Sequence, residues 1–168
     1  DSITLYEKAF NHKQTNISVN NNLYYLYGKT NNWPKANKLI SQVSSKDKVL
    51  YSYSLGAIEI NNPNLESELL PVLEYDTSGY TRLALGAFFE NNMNSSKSHK
   101  YFKDAYDINR YDIYLSLAYA RSCELSDDIE NAKFIYKMIT LNNSKKYENI
   151  KEQASFRYKQ LSKIEDKE

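Results

Sequence analysis

The chain has little of nearly everything that marks a chemical site. Its 168 residues include one cysteine, two histidines, one tryptophan, two methionines, four glycines and three prolines. A single cysteine, Cys123, excludes an internal disulfide. Its place near the end of a helical pattern reads as a small buried residue. His12 and His99 stand in Asn-His-Lys and Ser-His-Lys contexts, without Glu or Cys at ligand spacing. Both are expected to be exposed, and neither builds a metal site. Neither lies near Cys123 in the chain's periodic order, so a thiol nucleophile lacks its base. There is no glycine-rich phosphate loop and no Gly-x-Ser-x-Gly turn. No cofactor is expected. No apolar run approaches the ~20 residues that span a bilayer, and mean hydropathy is −0.71. A net charge of +1 gives no general pull toward nucleic acid or anionic lipid.

What is present is a repeat. Asn20-Asn-Asn-Leu23-Tyr24, Ser52-Tyr-Ser-Leu55-Gly56, Arg82-Leu-Ala-Leu85-Gly86 and Tyr114-Leu-Ser-Leu117-Ala118 echo one another, with their Leu residues 32, 30 and 32 positions apart. A recurrence of that size signals stacked helical hairpins, each burying its apolar face only against its neighbours. A second helix follows in each unit. It carries Ala36-x-x-x-Ile40-x-x-Val43, then Ser98-x-x-x-Phe102-x-x-Ala105, then Ala132-x-x-x-Tyr136-x-x-Ile139. The scarcity of Gly and Pro agrees with helices joined by short loops.

Over about residues 17–141 these motifs resemble the tetratricopeptide repeat: Leu then a small residue in the first helix, an aromatic three later, then small-x-x-x-aromatic in the second. Tyr27 and Phe89 take the first-helix aromatic slot. The resemblance implies an all-α, right-handed superhelical solenoid of antiparallel helix pairs, about ten helices in one domain over 1–168. The units fall at about 17–48, 49–78, 79–110 and 111–144, with a partial unit over 1–16 and a C-terminal capping helix over 145–165. Gly56, Gly86 and Ala118 are expected at helix crossings, with Phe102 and Tyr136 filling the gaps between hairpins. Tyr24 departs from the small-residue slot, and the usual first-helix Trp is absent. Pro71 is expected to break its helix, whereas Asn62-Pro63 suits a cap and first turn. Asp127-Asp128 reads as a capping segment.

Both ends carry helical stripes. Leu5, Tyr6, Ala9 and Phe10 resemble the tail of a second helix, so the chain is expected to open partway through a unit and there either to self-associate or to receive an upstream segment. Tyr147, Ile150, Ala154, Tyr158 and Leu161 form the apolar stripe of the terminal helix, which seals the last face.

Sixteen tyrosines exceed what hairpin filling requires, and Tyr suits interfaces. Projection of the first helices gives a concave partner-binding row of Asn21, Tyr25, Tyr53, Ala57, Leu83, Ala87, Leu115 and Tyr119. The row lacks the basic set by which some tetratricopeptide proteins grip a C-terminal carboxylate. No basic residue stands between Lys48 and Arg82, where Glu59, Glu66, Glu68, Glu74 and Asp76 fall. Glu66 and Glu68 are expected on a rim or outer face, where charge steers association.

The function that follows is a non-catalytic scaffold or adaptor that binds a peptide or partner protein. The Asn, Lys, Ile and Tyr content suggests an AT-rich, bacterial genome. The resemblance implies a role in envelope, pilus or secretion assembly or in regulating a cytoplasmic partner, and leaves the compartment, cytoplasmic or periplasmic and envelope-associated, open. A homo-oligomerising structural component is the alternative. An RNA-binding array follows third, because the row lacks a stripe of Arg and Lys.

Overall fold

The computed structural model describes residues 2–12, 17–30, 32–42 and 64–165. Every regular element among the described residues is a helix. They are α1 (Ser2–Asn11), α2 (Ile17–Lys29), α3 (Trp33–Gln42), α4 (Leu65–Leu69), a 3-10 helix (Leu70–Tyr75), α5 (Tyr80–Asn91), α6 (Ser95–Ile108), α7 (Ile113–Leu125), α8 (Ile129–Thr140), a 3-10 turn (Lys145–Tyr147) and α9 (Glu148–Glu165). From α5 onward each helix packs on the next in the chain. The connections at 92–94, 109–112 and 126–128 are short, so successive helices are neighbours in space. Val43, Tyr53, Leu55, Gly56, Ala57, Glu59 and Pro63 lie outside the described residues, as do Asn62 and Ser52.

The breaks follow from local chemistry. The α-helix ends at Leu69 and Pro71 enters the first turn of the 3-10 helix, as expected of a residue with no N–H to give the turn before it. Asp76 then organises the entry to α5. Its buried carboxylate accepts hydrogen bonds from the N–H groups of Ser78 (3.0 Å), Gly79 (2.9 Å) and Thr81 (3.1 Å), from the Ser78 hydroxyl (2.8 Å) and from the Arg82 guanidinium (3.3 Å). These donors offset the cost of removing a charge from water. Gly79 has φ +86°. A Cβ there would sit 2.8 Å from both the Ala105 carbonyl oxygen and Leu115 Cδ1, so glycine meets a backbone and a packing demand at once.

The pairs α5–α6 and α7–α8 repeat one geometry. Met93 (φ 56°) and Asp127 (φ 61°) are left-handed. Asn94 N–H donates to the Phe89 carbonyl at 2.8 Å, and Asp128 N–H to the Cys123 carbonyl at 2.9 Å. Buried Ser98, Phe102 and Ala105 match buried Ala132, Tyr136 and Ile139. Every one of these correspondences is 34 residues. Under that register the partner of Gly86 is Ala120, fully buried, and not Ala118, which is only half-buried. A Cβ on Gly86 would lie 2.5 Å from the Phe102 ring, so Gly86 does stand at a close crossing. Asp112 starts α7 by accepting from Tyr114 N–H (2.9 Å) and Leu115 N–H (3.1 Å), and Tyr80 on α5 donates its hydroxyl to the same carboxylate at 2.7 Å.

Two apolar clusters hold the molecule. The first gathers Leu23, Tyr24, Tyr27, Leu39, Leu65, Leu69, Ala84, Leu85 and Phe89. The second runs from Phe102 through Ile113, Tyr119, Ala120, Cys123, Ile135 and Tyr136 to Ala154 and Leu161. Helix α5 serves both: Leu85 and Phe89 face the first, and Leu83 and Ala87 the second. Tyr147 of the 3-10 turn and the α9 stripe of Ile150, Ala154, Tyr158 and Leu161 pack on the second cluster, as their spacing predicts. Helix α1 buries no residue fully; Tyr6 and Phe10 lie against the first cluster while Leu5 is exposed.

Candidate functional site

Helix α7 has a core side and an open side. Leu115 is fully buried and Tyr119 nearly so. The Tyr119 ring rests 5.1 Å from that of Tyr106 and 5.5 Å from that of His99, and burial pushes its phenol up. The expectation that Leu115 and Tyr119 belong to an exposed row is therefore corrected: both are interior packing. The cause is the register. At 34 residues, Leu83 and Ala87 correspond to Leu117 and Arg121, two positions further along.

Leu117 and Arg121 line a cavity of about 340 Å³ between α7 and α9, with Glu124, Leu125, Tyr136, Gln153, Phe156 and Arg157. Leu125 is 72% exposed and Phe156 59%, so the rim is apolar and wet. Beside it, the Glu124 carboxylate accepts from Tyr136 Oη (3.1 Å) and Arg157 Nε (3.2 Å), and a second Arg157 nitrogen pairs with its other oxygen. This two-point grip ties α9 to α7 with the directionality of an arginine fork. Arg157 also donates to Gln160 Oε1 at 2.6 Å. Arg121 is exposed and has no ion-pair or hydrogen-bond partner among the described residues. Burial pushes the Tyr136 phenol up, and Arg121 partly opposes that shift, so the cation's field reaches the cavity lining.

Other expected row members stand elsewhere. Asn21 and Tyr25 lie half-buried on α2, where Lys29 sits 5.6 Å from the centre of the Tyr25 ring. Leu83 and Ala87 are half-buried on α5 against the second cluster. Tyr53 and Ala57 lie outside the described residues. Residues 121, 124, 125, 156 and 157 were not singled out from the sequence as a site. The 34-residue spacing of the second helices carried the signal for Arg121 and Leu125.

A second, larger cavity of about 430 Å³ opens on the other side, between α6 and α8. Tyr106, Arg110, Tyr111, Phe134, Met138 and Leu141 contribute to it, and Tyr111 is 96% exposed. Arg110 pairs with Asp107 at 2.8 Å, and Lys103 takes the other oxygen of that carboxylate at 2.7 Å. The Lys103 bond, and after burial the Arg110 bond, act on Asp107, with the net effect of holding its carboxyl below the usual range.

The acidic stretch is knit into the fold. Glu66 pairs with Lys97 at 3.0 Å, Lys97 lies 4.4 Å from the centre of the Phe89 ring, and Glu68 accepts from the Tyr24 hydroxyl at 3.4 Å. Glu66 and Glu68 thus join α4 to α6 and to α2, with the Glu66–Lys97 pair at the surface.

Catalytic geometry is sparse. His99 is half-buried, not exposed, with Nδ1 3.2 Å from Ser122 Oγ; that hydroxyl donates to the Tyr119 carbonyl at 2.9 Å. Cys123 is buried, and burial pushes its thiol up, away from the thiolate that acts as a nucleophile. Among the described residues no group of three His, Cys, Asp or Glu could hold a metal ion, and no helix is long and apolar enough to cross a membrane. Comparison of the chain with protein-family models, with curated proteins and with solved structures finds no match in any of the three.

Proposed function

We propose that the chain is a non-catalytic protein-interaction scaffold, a solenoid of antiparallel helix pairs of the tetratricopeptide kind, that holds a segment of a partner protein on the open side of α5, α7 and α9. The 34-residue correspondence of α5–α6 with α7–α8 supports the repeat reading, because 34 residues is the tetratricopeptide period. The observation that carries the function is the cavity rim. Leu125 and Phe156 leave large apolar side chains in water beside Arg121, and exposed apolar surface rimmed by polar groups marks interaction sites. Quantitative affinity capture from an extract of the producing cells, comparing the wild type with a folded Leu125→Asp/Phe156→Asp double variant, tests it. A protein held by the wild type and lost from the variant is expected; identical captured sets would contradict the reading.

A self-associating structural component is the second reading. The observation favouring it is the α6–α8 groove, where Phe134, Met138 and Leu141 are exposed at helical spacing. Sedimentation of Met138→Glu against the wild type separates the two: self-association abolished by this change would assign the groove to a second copy.

A further inference from the structure

The charges lining the α7–α9 cavity are unequal. Arg121, Glu124 and Arg157 supply two cations and one anion, and Gln153 is neutral. The anion is fully engaged: Glu124 receives Arg157 on both oxygens and the Tyr136 hydroxyl on one. Among the described residues nothing is left over to neutralise Arg121, which stands exposed beside Leu117, Leu125 and Phe156. A guanidinium next to apolar walls recognises an anion that itself arrives between apolar groups, since those groups, once seated on the walls, displace water and strengthen the charge-assisted hydrogen bond.

Resting on the scaffold reading, we propose that this cavity receives a linear segment of a partner protein in which one carboxylate is flanked by large apolar side chains, with Arg121 as the carboxylate's partner and Leu117, Leu125 and Phe156 as the apolar contacts. The carboxylate selects the segment and its orientation; the apolar neighbours supply most of the affinity. Arg157 keeps its grip on Glu124, so α9 remains in place and the site is preformed, which spares the segment the cost of building it.

The test selects peptides from a random displayed library on the immobilised full chain. Each selected peptide, and the same peptide with its carboxylate changed to the amide, is then titrated by fluorescence anisotropy against wild type, Arg121→Glu, Arg121→Lys and Phe156→Asp at low and high salt. Selected peptides should carry Asp or Glu beside Leu, Ile or Phe. Arg121→Glu and the amide peptide should each weaken binding by about tenfold or more, Arg121→Lys by less, and high salt should weaken the wild type most. Arg121 is exposed, so circular dichroism of its variants should match the wild type.

If Phe156→Asp removes binding while Arg121→Glu and the amide peptide leave Kd within about twofold, the acidic class is wrong and the scaffold site stands. If no peptide is enriched, or the selected peptides bind every variant equally, both readings fail. If the wild type sediments as a dimer that Phe156→Asp dissociates, a second copy fills the cavity and the proposal is overturned.

Discussion

The two apolar clusters are built on different principles. The second is regular: small residues at crossings (Ala120, Ala132, Ala154) alternate with Phe102, Tyr136 and Ile139, and the helix-to-helix turns at Met93 and Asp127 share one conformation. The first is tied by polar bonds through its tyrosines. Tyr24 donates to Glu68 at 3.4 Å, Tyr27 donates to Glu7 at 2.8 Å, and Lys35 reaches the same Glu7 oxygen at 2.7 Å. Buried Asn20 leaves its Oδ1 without a hydrogen bond among the described residues. A repeated geometry lets neighbouring units be interchangeable in packing, and directional side-chain bonds fix particular neighbours where the repeat is looser. The open cavity lies at the regular end, between α7 and α9.

The sharpest way to break this contrast is to empty the regular cluster. Tyr136→Ala removes a fully buried ring and one of the bonds to Glu124, and should cost about 3–5 kcal/mol in urea unfolding. A loss near zero would mean the ring is not the packing keystone between α7, α8 and α9. Next is the joint between the clusters. Gly79→Ala must hold φ near +86° and displace both the Ala105 carbonyl and the Leu115 side chain, for an expected cost of about 2–4 kcal/mol. An unchanged melting temperature would show that the α5 entry relaxes freely.

The polar cluster responds differently. Asn20→Leu replaces a buried amide whose oxygen has no hydrogen bond among the described residues by an apolar group of similar length, so stability should stay within about 1 kcal/mol of the wild type or rise. A large loss would reveal a bond that Asn20 makes and the geometry does not. The smallest effect is titratable. Lys35 first, then Tyr27, lower the Glu7 carboxyl below its ordinary 4.5. A carboxyl lowered in the folded state binds fewer protons there than in the unfolded chain, so its contribution is present above pH 4.5 and fades as pH falls through the folded value. The difference in unfolding free energy between wild type and Glu7→Gln should therefore shrink on acidification from neutral pH. A difference that stays constant would remove Glu7 from the list of cross-helix ties.

Much of the helical frame was legible in the sequence. Gly86 at a close crossing, the Pro71 break and the terminal apolar stripe follow from residue spacing, because a small residue between helices and an i, i+4, i+7 face leave little freedom; that Phe102 is the ring Gly86 meets came from the structure. The placement of the site was not. Helix α7 is rich in Leu and Ala, so Leu117-Ala118 imitates Leu85-Gly86 two positions away from the pairing the turns impose. That slip put Leu115 and Tyr119 on the open face and hid Arg121. The pair Asp127-Asp128 was legible as a helix boundary but not in its chemistry. Asp127 adopts the left-handed turn, and Asp128 makes no side-chain cap, accepting instead from Asn131 Nδ2 at 2.8 Å. Glu66 and Glu68 find partners on α6 and α2, far along the chain, and no local pattern encodes those contacts.

The face that α7 turns to solvent is tested most directly by thiol labelling. With Cys123→Ser as background, Leu125→Cys and Leu115→Cys would each be exposed to iodoacetamide in native buffer and again in urea. The thiol at position 125 should react in native buffer nearly as fast as in urea, and the thiol at 115 should react only when urea unfolds the chain. Fast native labelling at 115 with protection at 125 would reverse the open and buried sides of α7 and remove the cavity as a binding site.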